Sequence, residues 1–234
     1  MTDVTEFAPG LLIRGIQPPL KLADYKLIAF DMDSTLINIE CIDEIADAAG
    51  KKAEVSAITE AAMRGEITDF KDSLRRRVAL LKGVPATFLE QVYTERLRLN
   101  PGAETLLAAV HAAGLKSLLV SGGFTFFADR VRDRLKIHRA QSNVLGIDAA
   151  GLLTGEVIGD IVDGAEKQRQ LLLACEQAGC SPAESIAVGD GANDLPMMGA
   201  AGLSVAFDAK PKVREQAMVA INSGGLDRLL DVLR

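Results

Sequence analysis

Asp31 and Asp33 flank a single residue directly after the apolar run at 26–30. Two close carboxylates repel one another unless a proton or cation intervenes, and hard oxygen donors favour magnesium. A carboxylate at a strand tip can also attack phosphorus, dividing a difficult hydrolysis into two steps, while its neighbour carries protons. An Asp-x-Asp pair by itself equally suits a surface turn, because Asp readily hydrogen-bonds its own backbone. Three further groups favour chemistry. Ser121, with Gly122 and Gly123, offers a hydroxyl and accessible backbone N–H groups to phosphate oxygens near a helix start. The run at 189–194 sets Asp190, Asp194 and the amide of Asn193 on a tight Gly-containing turn, where they can complete an oxygen-rich metal site. Lys167 opens a helix-like segment and can place a cation beside a carboxylate nucleophile and a transferring phosphoryl group.

These groups are far apart in the chain and need a scaffold that gathers them. Apolar β-like runs recur at 26–30, 116–120, 185–189 and 203–206, with a weaker one at 218–221, and helix-like segments lie between them. This alternation predicts an α/β, Rossmann-like fold: a mainly parallel sheet flanked by helices and built from right-handed crossovers. Ligands in such sheets bind at the carboxyl ends of the strands, where Asp31, Ser121 and Asp190 fall. Residues 41–99 interrupt the alternation with helical patterns only, which predicts a catalytic core of 1–40 and 100–234 with an inserted helical cap at 41–99. Within the insertion Leu74, Val78 and Leu81 share a helical face, whereas Arg75 and Arg76 point to solvent. A second interruption, 143–157, carries a polar turn at 148–151 and predicts a small β-hairpin flap. Residues 1–24 show no clear periodicity.

At 234 residues the chain can bury a substantial core. The net charge of −6 argues against nucleic acid or an anionic membrane as partner and leaves a small-molecule substrate. Cys41, Cys175 and Cys180 are odd in number and lack metal-type spacing, so they read as packing residues in a reducing compartment. Neither an export signal nor a membrane-spanning run is evident, and the expected location is the cytoplasm. His111 and His138 are the only histidines, which disfavours a histidine nucleophile or histidine-rich metal centre. Ser121 lacks the Gly-x-Ser-x-Gly elbow of the α/β-hydrolases.

With these residues in view, the sequence resembles the haloacid dehalogenase-like phosphatases. Asp31-Met32-Asp33-Ser34-Thr35-Leu36, Val120-Ser121-Gly122-Gly123, Lys167 and the run 189–194 match the four family motifs in order. The resemblance implies that Asp31 becomes phosphorylated and that Asp33 is general acid, then general base. It implies Mg2+ held by Asp31, the Asp33 carbonyl and Asp190, with Asp194 in support. It further implies phosphate binding by Ser121, Gly122 and Lys167, with Asn193 shaping the pocket. The runs 39–44 and 70–78 resemble the substrate-facing parts of members that act on O-phosphoserine. There Glu40 would meet the ammonium, Arg77 would clamp the carboxylate, and Met63 and Phe70 would form apolar walls. The implied activity is hydrolysis of O-phospho-L-serine to serine and phosphate, the last step of serine biosynthesis. Alternatives are transfer of the phosphate to homoserine, hydrolysis of another small phosphomonoester, and a receiver-like switch without turnover.

Overall fold

The computed structural model describes residues 4–63 and 66–234, with the side chain of Met63 outside the described set. Its strands are β1 (Val4–Ala8), β2 (Leu11–Arg14), β3 (Leu27–Phe30), β4 (Lys116–Phe124), β5 (Arg139–Ile147), β6 (Leu153–Ile158), β7 (Ser185–Gly189), β8 (Leu203–Phe207) and β9 (Val219–Ile221). They form one sheet in the order β1-β2-β9-β8-β7-β3-β4-β5-β6. The pairings from β9 through β5 are parallel, and β1, β2 and β6 add antiparallel edges. The expected α/β, mainly parallel architecture is therefore present.

Every residue of β3, β7 and β8 is buried, as parallel strands covered on both faces require. Alternate residues serve opposite sides. Ile28, Phe30, Ile186, Val188 and Val205 join one core with Leu106 and Val110 of the helix α5 (Ala103–Ala112). Leu27, Ala29, Ala187 and Ala206 join the other, with Leu171 and Cys175 of α7 (Gly164–Ala178) and Met197 of α8 (Leu195–Ala200). The register Phe30↔Val188 and Phe30↔Leu119 brings the three strand ends to one level, so Asp31 emerges beside Asp190 and the segment after Leu119.

Between β3 and β4 lie α1 (Cys41–Ala48), α2 (Lys52–Met63), α3 (Phe70–Leu80) and α4 (Thr87–Gln91), with no strand among the described residues. Leu74, Val78 and Leu81 are buried together, while Arg75 and Arg76 are exposed. Asp69 caps α3 by accepting a hydrogen bond from Lys71 N at 2.9 Å.

The hairpin is β5 with β6. Its turn is closed by Asp148 Oδ1, which accepts from Ala150 N and Leu152 N at 2.9 Å each. The hairpin is not free-standing. Gly83 N donates to Leu153 O, Leu153 N to Val84 O and Ala86 N to Gly151 O, each at 2.8 Å, so its tip is sewn to the loop between α3 and α4.

Two features depart from the sequence reading. The first half of β5 is a core strand paired with β4 from Leu118↔Arg139, before the hairpin begins. Residues 4–14 form an antiparallel hairpin that extends the sheet beyond β9. The outer strand β1 is exposed at four of its five positions, so no apolar alternation marks it. No helix among the described residues is long and apolar enough to cross a membrane.

Candidate active site

Beyond β3 the chain does not stay extended. Asp31 keeps a strand-like conformation (φ −70°, ψ 163°), but Ser34 adopts φ +57°, the left-handed region that non-glycine residues seldom occupy. Hydrogen bonds from Ser34 N to Ile39 O and from Ile37 N to Met32 O, both 3.1 Å, hold the turn. Ser34 Oγ donates to Glu40 Oε1 at 2.6 Å. The turn thus fixes Asp31, Asp33 and Glu40 relative to one another.

Lys167 is fully buried on the first turns of α7, and its Nζ lies 2.7 Å from Asp31 Oδ1 and 2.6 Å from Asp194 Oδ1. The other Asp194 oxygen accepts from the backbone N–H groups of Asp190 (3.1 Å) and Gly191 (3.0 Å), which shapes the turn after β7. Asp190 in turn accepts from Thr35 Oγ1 at 3.3 Å and faces Lys210 Nζ at 3.4 Å. Carboxylate oxygens of Asp31, Asp190 and Asp194 lie within 4.8 Å of one another, and all three residues are buried. Such an all-oxygen set of hard donors fits a divalent cation, which this cluster could hold.

The electrostatics follow from burial. Asp31 is pushed well above the ordinary carboxylate value by burial, then by Asp194, with Lys167 opposing the rise. Asp190 is raised to about 6 by burial and by Asp194. Burial favours neutral Lys167, yet Asp194 and Asp31 outweigh it and hold the ammonium charged above its ordinary value. Asp33 is raised to about 8 by burial and by Glu40, and its Oδ1 is buried without a hydrogen-bond partner. Protonated near neutral pH, it is poised to give up a proton.

A cavity of about 720 Å³ opens over this cluster. It is lined from the sheet side by Asp31, Asp33, Glu40, Ser121, Gly122, Asp190 and Asn193, and from the helical insertion by Phe70 and Arg77. Asp194 and Lys167 lie beneath it. Phe70 abuts Gly122 so closely that a Cβ on Gly122 would stand 2.9 Å from its Cζ. A Cβ on Gly123 would meet Asp33 Oδ2 at 2.7 Å, so a side chain at either position would displace a residue lining the cavity. Arg77 Nε reaches Ser73 O at 3.4 Å; burial lowers its pKa while Asp43 and Glu40 hold its charge. Met63 ends α2, and its side chain falls outside the described residues.

Three contributors were not read from sequence. Thr35 stands inside the first motif but carries no charge to draw notice. Lys210 is an exposed lysine, indistinguishable by type from other surface cations. Asp43 lines the cavity with a buried Oδ1 that lacks a hydrogen-bond partner, and only its place in the run 39–44 marks it. A further ion pair, Lys71 Nζ to Asp163 Oδ2 at 3.1 Å, joins the start of α3 to the residue that caps α7.

Residues 25–202 match the family model of the haloacid dehalogenase-like hydrolases, and the chain belongs to that family. Within it, the chain is 67% identical to a phosphoserine phosphatase of Polaromonas sp. strain JS666, over 98% of this chain and 99% of the relative. It is 64% identical to a phosphoserine phosphatase of Albidiferax ferrireducens, over 98% of each. A solved substrate-bound phosphoserine phosphatase complex superposes with a TM-score of 0.83 at 38% identity, covering 90% of this chain and 99% of that one.

Proposed function

We propose that this chain is a phosphoserine phosphatase, hydrolysing O-phospho-L-serine to L-serine and phosphate through an aspartyl-phosphate on Asp31. The observation that carries the reading is the single cavity lined at once by two acidic groups of the first motif, by the Ser121-Gly122 loop, and by Glu40 and Arg77. Kinship with the Polaromonas and Albidiferax enzymes supports the same substrate.

In the first half-reaction an Asp31 carboxylate oxygen attacks phosphorus and the serine oxygen departs, taking its proton from Asp33. In the second, Asp33 removes a proton from water, the hydroxide attacks the acyl phosphate, and Asp31 is regenerated as phosphate leaves. Ser121 and the Gly122 N–H hold phosphoryl oxygens, Asn193 shapes their pocket, and Lys167 opposes protonation of Asp31 and offsets charge on the transferring group. Glu40 pairs with the substrate ammonium and Arg77 with its carboxylate. Magnesium is the cation the donor set suits; Asp31, Asp190 and the Asp33 carbonyl would hold it, with Asp194 in support. Bound there, it supplies positive charge against the phosphoryl oxygens. Residues 41–99 act as a cap over a core formed by 1–40 and 100–234, with Phe70 as an apolar contact to substrate. The enzyme works in the cytoplasm.

The test is phosphate release from a panel of small monoesters with magnesium, on wild type and Asp31→Asn. The expected outcome is preferential turnover of O-phosphoserine, equal yields of serine and phosphate, and loss of both in Asp31→Asn. Substantial turnover by Asp31→Asn, or indifference to phosphoserine, would overturn the reading.

A further inference from the structure

Asn143 lies inside β5 at 1% exposure, an unusual place for a side chain with several hydrogen-bonding positions to fill. The strand pairing explains it. Val120 pairs with Gln141 and Phe124 with Asn143, so four steps along β4 answer only two along β5. The two surplus residues fall within Ser121-Gly122-Gly123, which bulge away from the ladder. A bulge leaves backbone groups without strand partners, and here the Asn143 side chain takes one of them: its Nδ2 donates to Gly122 O at 2.8 Å. Its Oδ1 accepts from Val162 N, also at 2.8 Å. A carbonyl on one side and an N–H on the other fix the orientation of the amide, because reversing it would set like against like.

The two bonds join different parts of the site. Gly122 belongs to the loop that carries the Ser121 hydroxyl, which itself accepts from Gly123 N at 2.8 Å. Val162 is buried and leads into Asp163, the cap of α7, which carries Lys167 four residues later. We propose that Asn143 is a positioning residue for phosphate binding: its side chain replaces the ladder bond lost at the bulge and locks the Ser121-Gly122 loop to the start of α7. This rests on the reading above, in which Ser121, Gly122 and Lys167 hold the phosphoryl group. Asn143 touches no reacting atom and acts through Gly122 and Val162.

The test uses Asn143→Ala and Asn143→Ser, neither of which can span both segments, in the magnesium-loaded enzyme. Inorganic phosphate is used as a competitor of phosphoserine hydrolysis. The expected result is a rise of at least about ten-fold in the phosphate inhibition constant and in KM, with a smaller change in kcat. A lower Tm with an unchanged inhibition constant and KM would make Asn143 merely structural and overturn the proposal. Should neither variant fold, hydrogen exchange on the wild type decides: phosphate must slow exchange in 121–124 and 161–167 together, and slowing in only one or neither overturns it. Absence of phosphoserine turnover by the wild type would sink the functional reading. An active wild type whose variants bind phosphate normally would sink only the role of Asn143.

Discussion

Replacing Lys167 with methionine keeps most of the length of the side chain and removes its charge. Each of its two contacts, 2.7 Å to Asp31 and 2.6 Å to Asp194, corresponds to about 6 kcal/mol of Coulomb attraction at an effective dielectric constant near 20. That gross figure is offset by the several kcal/mol no longer spent desolvating the ammonium, and by protonation of a carboxylate left without its partner. Asp31 takes that proton readily, since burial and Asp194 already push its pKa up. The net destabilisation expected for breaking such a buried pair is about 3–5 kcal/mol. The kinetic effect follows from the same event, because a protonated Asp31 is no nucleophile. A loss of about 3 kcal/mol corresponds to roughly 150-fold in kcat/KM. Urea unfolding and phosphate release in magnesium measure the two effects separately. The double variant Asp31→Asn with Lys167→Met removes the orphaned charge and should recover at least about 1 kcal/mol of stability relative to Lys167→Met. Retention of kcat/KM within about five-fold by folded Lys167→Met, or no recovery in the double variant, would refute this account of the buried cation.

Arg77→Ala should lower kcat/KM for phosphoserine at least about ten-fold, or 1.4 kcal/mol, while leaving phosphoethanolamine, which lacks the carboxylate, nearly unchanged; parallel kinetics on both esters check this. If Asp33 is the acid that releases the serine oxygen, as proposed above, the rate of enzyme phosphorylation should fall as pH rises through about 8, and a flat profile to pH 9.5 would count against that role. The same raised pKa implies that the protonated form stabilises the fold: this contribution is complete below about pH 4 and is lost as pH climbs to about 8, which chemical unfolding across that window detects. Gly122→Ala should raise KM several-fold with the fold intact, since the new Cβ would press on Phe70 Cζ at 2.9 Å; steady-state kinetics with a melting curve separate the two effects.

Much of the site was legible because its residues sit at the ends of apolar runs that parallel pairing must bring together. Leu-Ile-Ala-Phe before Asp31 and the run before Asp190 are buried on both faces, so their composition alone declares them. The helical character of the insertion at 41–99 was legible from pattern, since Leu74, Val78 and Leu81 keep a helical spacing. What could not be read depends on pairing rather than pattern. The positive φ of Ser34 is enforced by contacts with Ile39 and Glu40, not by a glycine that would announce it. The core half of β5 reads Arg-Ala-Gln-Ser-Asn, a polar string whose burial rests on specific partners such as Arg139 with Gln170 at 2.8 Å. β1 lies at an exposed edge and has no buried face to encode. Asn143 gains its meaning only from a two-residue mismatch between strands distant in sequence.

The seam between the hairpin tip and the loop after α3 bears on how this enzyme could be re-engineered. Three backbone hydrogen bonds, reinforced by Gly155 packed against Lys82 and Ala79, make residues 151–155 part of the same surface as the insertion near residue 83. The surface formed by the insertion and the hairpin tip is therefore discontinuous in the gene, encoded in one stretch before β4 and another after it. A chimera that imports a foreign 41–99 segment alone would present a mismatched edge to the resident hairpin. Transplanting the insertion intact calls for both stretches to travel together.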